Sequence, residues 1–311
     1  MACPKHLLSL TVLTVALVTG AAPAQEIDTA VDAPDKTTIN FRLTPGFEYV
    51  WGTGIHGGGD FNTLRMSVAF SATSALTDDL DLTLGLEYEY NNYEFSGETT
   101  FGGPEPWDNA HIFDLGAIFT YRPANDWAFF AGPVMQFAGE ADADFGESWI
   151  AGGVVGASYR FADDLLLGAG VGIVSQLEEE VRFFPIAIIE WDITDDLRVS
   201  SRTAGNAGGR SGLELIYDIA ENWELAAGLG YEFRRFRLDD DGPVPEGVGE
   251  DTGLPIWGRL SYQMTEKVKL NLYGGALANG EFKIRDAAGV DIGHRDYETA
   301  VMVGFSAVIR F

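Results

Sequence analysis

The chain has 311 residues, with 20 basic against 47 acidic side chains and a single cysteine, Cys3. So acidic a balance speaks against a nucleic-acid partner, because phosphate contacts need Lys and Arg. Glycine is abundant at 38 residues and aromatics make up 12%, which suits many strands joined by turns better than it suits helices.

The N-terminus reads as a secretory signal peptide. Lys5 and His6 form a short polar region, and Leu7 to Val18 is an apolar run broken only by Ser9, Thr11 and Thr14. Ala22-Pro23-Ala24 supplies an A-x-A cleavage site, which puts the cut before Gln25. The apolar run is too short for a membrane helix, which needs about 20 residues, and no later run approaches that length. Cys3 leaves with the peptide, so the mature chain has no disulfide and no thiol chemistry. A secreted domain of this size buries enough surface without stapling.

The dominant signal after that is a period of two. Leu80, Leu82, Leu84, Leu86, Tyr88 and Tyr90 alternate with Asp81, Thr83, Gly85, Glu87, Glu89 and Asn91. Trp223, Leu225, Ala227, Leu229, Tyr231 and Phe233 alternate with Glu224, Ala226, Gly228, Gly230, Glu232 and Arg234. The last segment sets Val301, Val303, Phe305, Ala307, Ile309 and Phe311 against Met302, Gly304, Ser306, Val308 and Arg310. A helix cannot hold such a pattern on one face, because its period is 3.6. A soluble sandwich also alternates. Three features favour a membrane barrel instead: long strands, aromatic residues at strand ends, and a second face rich in charges and glycines.

Short turns with a shared chemistry recur along the chain. They are Thr77-Asp78-Asp79, Ala124-Asn125-Asp126, Ala162-Asp163-Asp164, Thr194-Asp195-Asp196, Ala220-Glu221-Asn222 and Thr265-Glu266-Lys267. Asp and Asn suit tight turns because their side chains bond the local backbone. Between them lie longer stretches: Gly52 to Asp60, Ser96 to Asp108, Gly139 to Glu147, Gln176 to Glu180, Ala204 to Arg210, Asp239 to Asp251 and Gly280 to Asp296. Short turns and long loops alternate strictly, the layout of a transmembrane barrel with short inner turns and longer external loops. The reading is all-β: one closed antiparallel barrel of about fourteen strands, or twelve if the weak pair Leu197 to Arg202 and Ser211 to Ile219 is lost. Residues 1–24 are then the signal peptide, 25–37 a polar periplasmic tail and 38–311 the barrel.

These features, with the C-terminal Ile309-Arg310-Phe311, resemble bacterial outer-membrane β-barrel proteins over essentially the whole mature chain. In that class a terminal aromatic, preceded by apolar residues at alternate positions, is read by the barrel-assembly machinery. The resemblance therefore implies an assembly role for Phe305, Ala307, Ile309 and Phe311. It also implies outer-membrane lipid as a partner, and the outer membrane of a Gram-negative-type bacterium as the destination. The segment Gly247 to Trp257, followed by Tyr273-Gly274-Gly275, looks like an uncharacterised family of such barrels, a resemblance that implies no activity.

No motif for catalysis or a cofactor stands out. Gly168, Gly170 and Gly172 could suggest a nucleotide-binding loop, but no helix pattern follows, and they read as the inward face of one strand. Serine catalysis needs a nearby histidine. His56 and His294 fall in expected loops and His111 at the external rim, and Asp291, His294 and Asp296 alone resemble an Asp/His site. One Asp-rich loop explains that group. Glu140, Asp142 and Asp144, Glu178 to Glu180, and Asp239 to Asp241 could attract hard cations. None has the EF-hand order, and a solvated acidic loop is the plainer reading. Neither a catalytic residue nor a metal ligand is therefore assigned, and the chain is read as no enzyme.

The expected lumen face carries the functional candidates. They are Arg42, Glu48, Arg65, Asp81, Glu87, Glu89, Asp114, Arg122, Arg160, Glu190, Arg198, Glu214, Glu224, Glu232, Arg259, Lys269 and Arg310, with Asp192, Arg202, Asp218 and Arg234 on the same face. A charge facing mid-bilayer lipid costs about 2–4 kcal/mol, so these must point inward. Such charges either form a hydrated pore wall or pair into a plug. Fourteen strands fall between small filled barrels and water-filled porins, and the inward Gly, Ser and Thr favour open space. The expected function is a porin-like passive channel for small hydrophilic solutes, its lumen charges setting selectivity. A non-conducting structural or surface-binding barrel acting through its acidic loops is the main alternative, ahead of a transporter for apolar compounds or catalysis at the rim.

Overall fold

The computed structural model describes residues 39–97, 105–177, 181–201 and 211–311, Ser211 through its backbone alone. The expected signal peptide and tail, Arg202, the loop Ala204 to Arg210, and parts of the loops Ser96 to Asp108 and Gln176 to Glu180 lie outside the described residues.

Period-two patterning builds strands. The first five are β1 (Asn40–Gly54), β2 (Asp60–Ala75), β3 (Leu80–Ser96), β4 (Asn109–Tyr121) and β5 (Trp127–Gly139). After a single 3₁₀ turn, Phe145–Glu147, come β6 (Trp149–Ala162), β7 (Leu165–Ser175), β8 (Val181–Thr194), β9 (Leu197–Ser200) and β10 (Ser211–Ala220). The chain ends with β11 (Trp223–Arg237), β12 (Val248–Thr265), β13 (Val268–Arg285), β14 (Asp291–Tyr297) and β15 (Ala300–Arg310).

Each strand from β1 to β13 pairs antiparallel with the next, β13 pairs with β15, and β15 pairs with β1. Fourteen strands thus close a ring with no open edge, as hydrocarbon demands of backbone polar groups. Closure at the C-terminus is tight: Arg42 stands opposite Arg310, and the Phe311 N–H donates to the Phe41 carbonyl at 3.0 Å. The weak pair is present, though β9 is only four residues long.

β14 lies outside the ring. It pairs with the outer end of β13, from Gly280 opposite Tyr297 to Arg285 opposite Asp291. Asn279, at φ 49°, sits where β13 leaves β15 and takes up β14. Asn tolerates that left-handed backbone better than most residues. The stretch from Gly280 to Asp296, expected as a loop, is therefore largely a hairpin. Likewise β1 runs on to Gly54 and β12 already begins at Val248. Pairing above the belt satisfies backbone groups, so ladders outlast the hydrophobic alternation that marks them in sequence.

The outer face is apolar and exposed, through Met66, Val68, Leu84, Leu86, Leu229 and Leu272 among others. Aromatics edge it at both ends. Trp127 packs on Tyr159 and Trp223 on Tyr262 near the short turns, while Tyr88 packs on Phe113 and Phe137 on Phe145 near the long loops. So large an apolar belt between aromatic rims is a lipid-facing surface.

Two apolar clusters occupy the interior. The first draws its buried members from β1–β5, β11–β15 and their loops, with none from β6–β10. The second comes wholly from β4–β8. β11 and β5 meet at the outer end, where Arg237 stands opposite Gly139 and the Glu140 N–H donates to the Arg237 carbonyl at 2.9 Å. That bridge crosses the ring and divides its outer mouth into two lobes.

Candidate functional site

Inward parity on β1, β2, β3, β11 and β12 brings one layer of charge together inside the larger lobe. Arg65 is at its centre, fully buried. Its Nη1 donates to Glu48 and to Glu232, both at 2.9 Å, and its Nη2 donates to Asp251 at 3.0 Å. Arg234 lies beside it, with Nε donating to Glu89 at 2.6 Å and Nη1 lying 3.3 Å from Glu232. Asn91 also donates to Glu89, at 2.8 Å. The hydroxyls of Tyr93 and Tyr297 donate to Asp251 at 2.9 and 3.1 Å. Two guanidiniums thus face four carboxylates, all withdrawn from water. Buried ions are tolerated only when paired and hydrogen-bonded, and this network pairs them with groups from six strands, Tyr297 coming from β14.

An aromatic cap covers the layer on its outer side. Trp107, from the loop before β4, stands edge-on to Tyr93, Phe95, Phe236 and Phe282 at centroid distances of 5.4 to 5.9 Å. Phe61 packs edge-on against Phe282 and Tyr297, both at 4.7 Å. Such edge-to-face contacts add about 0.5–1.5 kcal/mol each beyond burial. The larger lobe is therefore filled at this level, where open space was expected.

The other inward charges spread over the rest of the wall. Arg259 grips Glu214 with two bonds, 3.0 and 2.6 Å, and the Trp257 indole donates to the same carboxylate at 2.7 Å. Toward the short turns the groups are more open. Arg198 pairs with Asp218 at 3.0 Å and Glu224 at 2.9 Å, and Lys269 pairs with Glu224 at 2.6 Å. Arg122 is ion-paired with Asp81. Asp114 stands opposite Glu87 and accepts from Gln136 at 2.7 Å, and Glu190 accepts from Ser200 at 3.0 Å. Arg160 bonds the Asp163 carbonyl at its turn, and Arg42 and Arg310 face each other at the inner mouth. Phe305, Ile309 and Phe311 point outward along β15 and past its end.

Sequence reasoning placed Glu48, Arg65, Glu89, Glu232 and Arg234 on the lumen face but not in one network. It missed Asp251, Tyr93, Tyr297 and the cap. Asp251 ends a stretch that reads as a loop in the sequence, yet it shares parity with Gly253, Pro255 and Trp257 on β12. Tyr93 and Phe95 continue the parity of Glu89 and Asn91. Carrying each alternation past its last apolar partner finds them.

Several motifs resolve differently. Asp291 and His294 are three apart on β14 and so lie on opposite faces of it. His111 joins the outer aromatic rim, its Nδ1 2.9 Å from the Tyr88 hydroxyl. Among the described residues no three His, Cys, Asp or Glu side chains gather as metal ligands. Gly168, Gly170 and Gly172 line the inner wall of the smaller lobe. A Cβ on Gly172 would fall 1.7 Å from Phe184 Cζ, and one on Gly170 would fall 2.8 Å from Phe130 Cζ. The absent side chains let both rings lie flat on the sheet.

Glu140 ties the bridge between the lobes to the loops. Its carboxylate accepts the N–H of Asp108 at 3.1 Å and of Asp239 at 2.8 Å. Burial pushes this carboxyl up to about 7, against those two N–H groups and with the carboxylates of Asp108 and Asp239 adding to the rise.

No protein-family model and no curated relative matches the chain. Solved structures do. The COG4313 outer membrane channel from Pseudomonas putida F1 is 12% identical, with a TM-score of 0.47, over 91% of this chain and 100% of that one. The P. putida toluene transporter TodX is 11% identical at 0.41, over 90% of this chain and 91% of that one. The NanC porin is 10% identical at 0.38, over 86% of this chain and 98% of that one. These likenesses are distant, and the barrel architecture rests on this chain's own closed ring of strands. The resemblance of Gly247 to Trp257 to a particular barrel family finds no matching family model.

Proposed function

We propose that the chain is an outer-membrane channel for small hydrophilic solutes, held here with its outer gate shut. The observation that carries this reading is the charged layer around Arg65. A buried ionic network contributes little net stability, and well-packed apolar residues of similar volume often do as well or better. Its presence across a lumen therefore argues for a gate more than for a filler. The open charges Arg198, Asp218, Glu224 and Lys269 form a hydrated vestibule below it, and there they set ion preference. In this reading Met1 to Ala24 directs export and is cleaved. Phe305, Ile309 and Phe311 engage the assembly machinery, and the apolar belt contacts outer-membrane lipid.

The filled outer lobe also favours a second reading, a non-conducting barrel that acts through its acidic loops. Single-channel recording in planar bilayers separates the two. On the channel reading the wild type gives rare, small steps, and Trp107→Ala combined with Phe282→Ala gives large, frequent ones. In that opened variant Lys269→Gln shifts the reversal potential toward cation selectivity. Silence from both proteins, with heat-modifiable migration showing them folded, discards the channel.

A further inference from the structure

Glu140 stands at the bridge between the lobes, one residue beyond β5, and its main chain is fixed there. Its N–H donates to the Arg237 carbonyl at 2.9 Å, and its own carbonyl accepts the Ala143 N–H at 3.3 Å. Its carboxylate reaches two other loops. One oxygen accepts the Asp108 N–H at 3.1 Å and the other accepts the Asp239 N–H at 2.8 Å. Each of these residues directly follows a buried member of the apolar cluster that includes the cap: Trp107 precedes Asp108, and Leu238 precedes Asp239. Elsewhere the two loops are held by single backbone bonds, from the Tyr93 N–H to the Asp108 carbonyl at 2.7 Å and from the Leu238 N–H to the Gly247 carbonyl at 2.8 Å. One side chain thus ties both cap-bearing loops to the bridge.

The surroundings of that carboxyl disfavour a charge. Asp108 and Asp239 set their own carboxylates beside it, and among the described residues no basic side chain pairs with it. Asp142 and Asp144 lie on its own loop. Arg237, which shares the bridge, turns its guanidinium to the carbonyls of Glu246 and Glu147 at 2.7 and 2.9 Å. A staple for two N–H groups needs no ionisable side chain. An acid buried between two others without a cation is stable there only with its proton on. Once the proton is lost, the clasped arrangement holds a buried charge that water would relieve, and release of the loops admits water.

We propose that Glu140 is a proton-operated latch on the outer gate. Protonated, it holds Trp107 and Leu238 over the charged layer. Ionised, it lets both loops go and the cap opens. The latch rests on the reading of the charged layer and its cap as a gate. A carboxyl at about 7 when clasped and at 4.5 when released favours release about tenfold more at pH 8 than at pH 6.

The test uses the chain from Gln25 on, in detergent, with Thr63→Cys as its only cysteine. Thr63 is wholly buried on the inward face of β2, between Phe61 of the cap and Arg65 of the layer. A small water-soluble methanethiosulfonate labels the thiol, and while opening is rare the rate follows the open fraction. Thiols react faster as pH rises. Each rate is therefore divided by that of the same reporter in Glu140→Gln, whose side chain cannot titrate. The quotient is expected to rise about tenfold from pH 6 to pH 8. Glu140→Ala, which removes both bonds, should label faster than Glu140→Gln at both pH values. A quotient that stays flat overturns the proposal, and so does Glu140→Ala labelling no faster than Glu140→Gln. Heat-modifiable migration accompanies each variant, and the near-isosteric Glu140→Gln keeps the test informative should Glu140→Ala misfold. The reporter reads cap opening without ion flow. A rising quotient with silent bilayers keeps the latch and discards the channel, and large currents from the doubly opened variant beside a flat quotient do the reverse.

Discussion

Arg65 on β2 and Glu232 on β11 meet at 2.9 Å across the lumen, although 167 positions separate them in the chain. Neither strand pairs with the other, so this contact spans the ring instead of following it. It makes the charged layer a strut as well as a barrier.

Removing the cation tests the strut. Arg65→Met leaves Glu48, Glu232 and Asp251 buried without their shared partner. Breaking a buried pair from one side costs about 3–5 kcal/mol. The expected outcome is a lower urea midpoint at pH 8, largely restored when Glu48→Gln and Asp251→Asn are added. A variant as stable as wild type would show that water already reaches the layer.

The smaller lobe offers a packing test. Phe184 lies where a side chain on Gly172 would go. Gly172→Leu must push the ring off the wall and into the lobe, and overpacking of this kind costs about 1–3 kcal/mol. Phe184→Ala in the same chain should recover most of that loss. Unfolding midpoints of the two single variants and the double variant check the coupling, which should be strong because the groups compete for one volume.

Phe311 closes the ring through its backbone and presents its ring outward, 60% exposed. Phe311→Ala keeps the hydrogen bond to Phe41 and removes only the side chain. Equilibrium stability in detergent should therefore change by under about 0.5 kcal/mol, as for surface substitutions generally. If the side chain is an assembly signal, the fraction of heat-modifiable barrel recovered from cells should fall several-fold. Equal loss in both measurements would assign Phe311 to stability alone.

Much of this architecture was legible because hydrophobic alternation and turn chemistry are local. Leu80 to Tyr90 declares both its strand and its faces, and Ala162-Asp163-Asp164 declares the turn after it. Two things were not local. Asp251 and Tyr297 lie beyond the apolar belt, where nothing forces the outer face to be apolar, so the alternation that reveals parity fades while pairing continues. The bridge between Arg237 and Gly139 joins strands six apart in the ring, and no sequence period encodes it. Inward Gly, Ser and Thr suggested space. Where the glycines meet Phe130 and Phe184, however, the absent side chains accommodate neighbouring rings.

The loop clasp should respond to pH in a direction opposite to that of most carboxylates. Glu140 holds the N–H groups of Asp108 and Asp239, and burial raises its carboxyl from the ordinary 4.5 to about 7. A group with a raised folded-state value binds its proton more tightly in the clasped form than in the released one. The clasp is therefore strongest below the ordinary value, weakens as pH rises through the window from 4.5 to about 7, and is level above it. Asp108 and Asp239 reinforce the trend, since their negative charge penalises the ionised carboxylate. Hydrogen-exchange protection factors of peptides spanning 105–112 and 236–246, which divide out the intrinsic pH dependence, should rise as pH falls from 8 to 6. Glu140→Gln cannot titrate and resembles the neutral acid in charge and in its single carbonyl acceptor. It should show flat protection across that range. Protection in the wild type that rises with pH would reverse the sign and remove Glu140 as its cause.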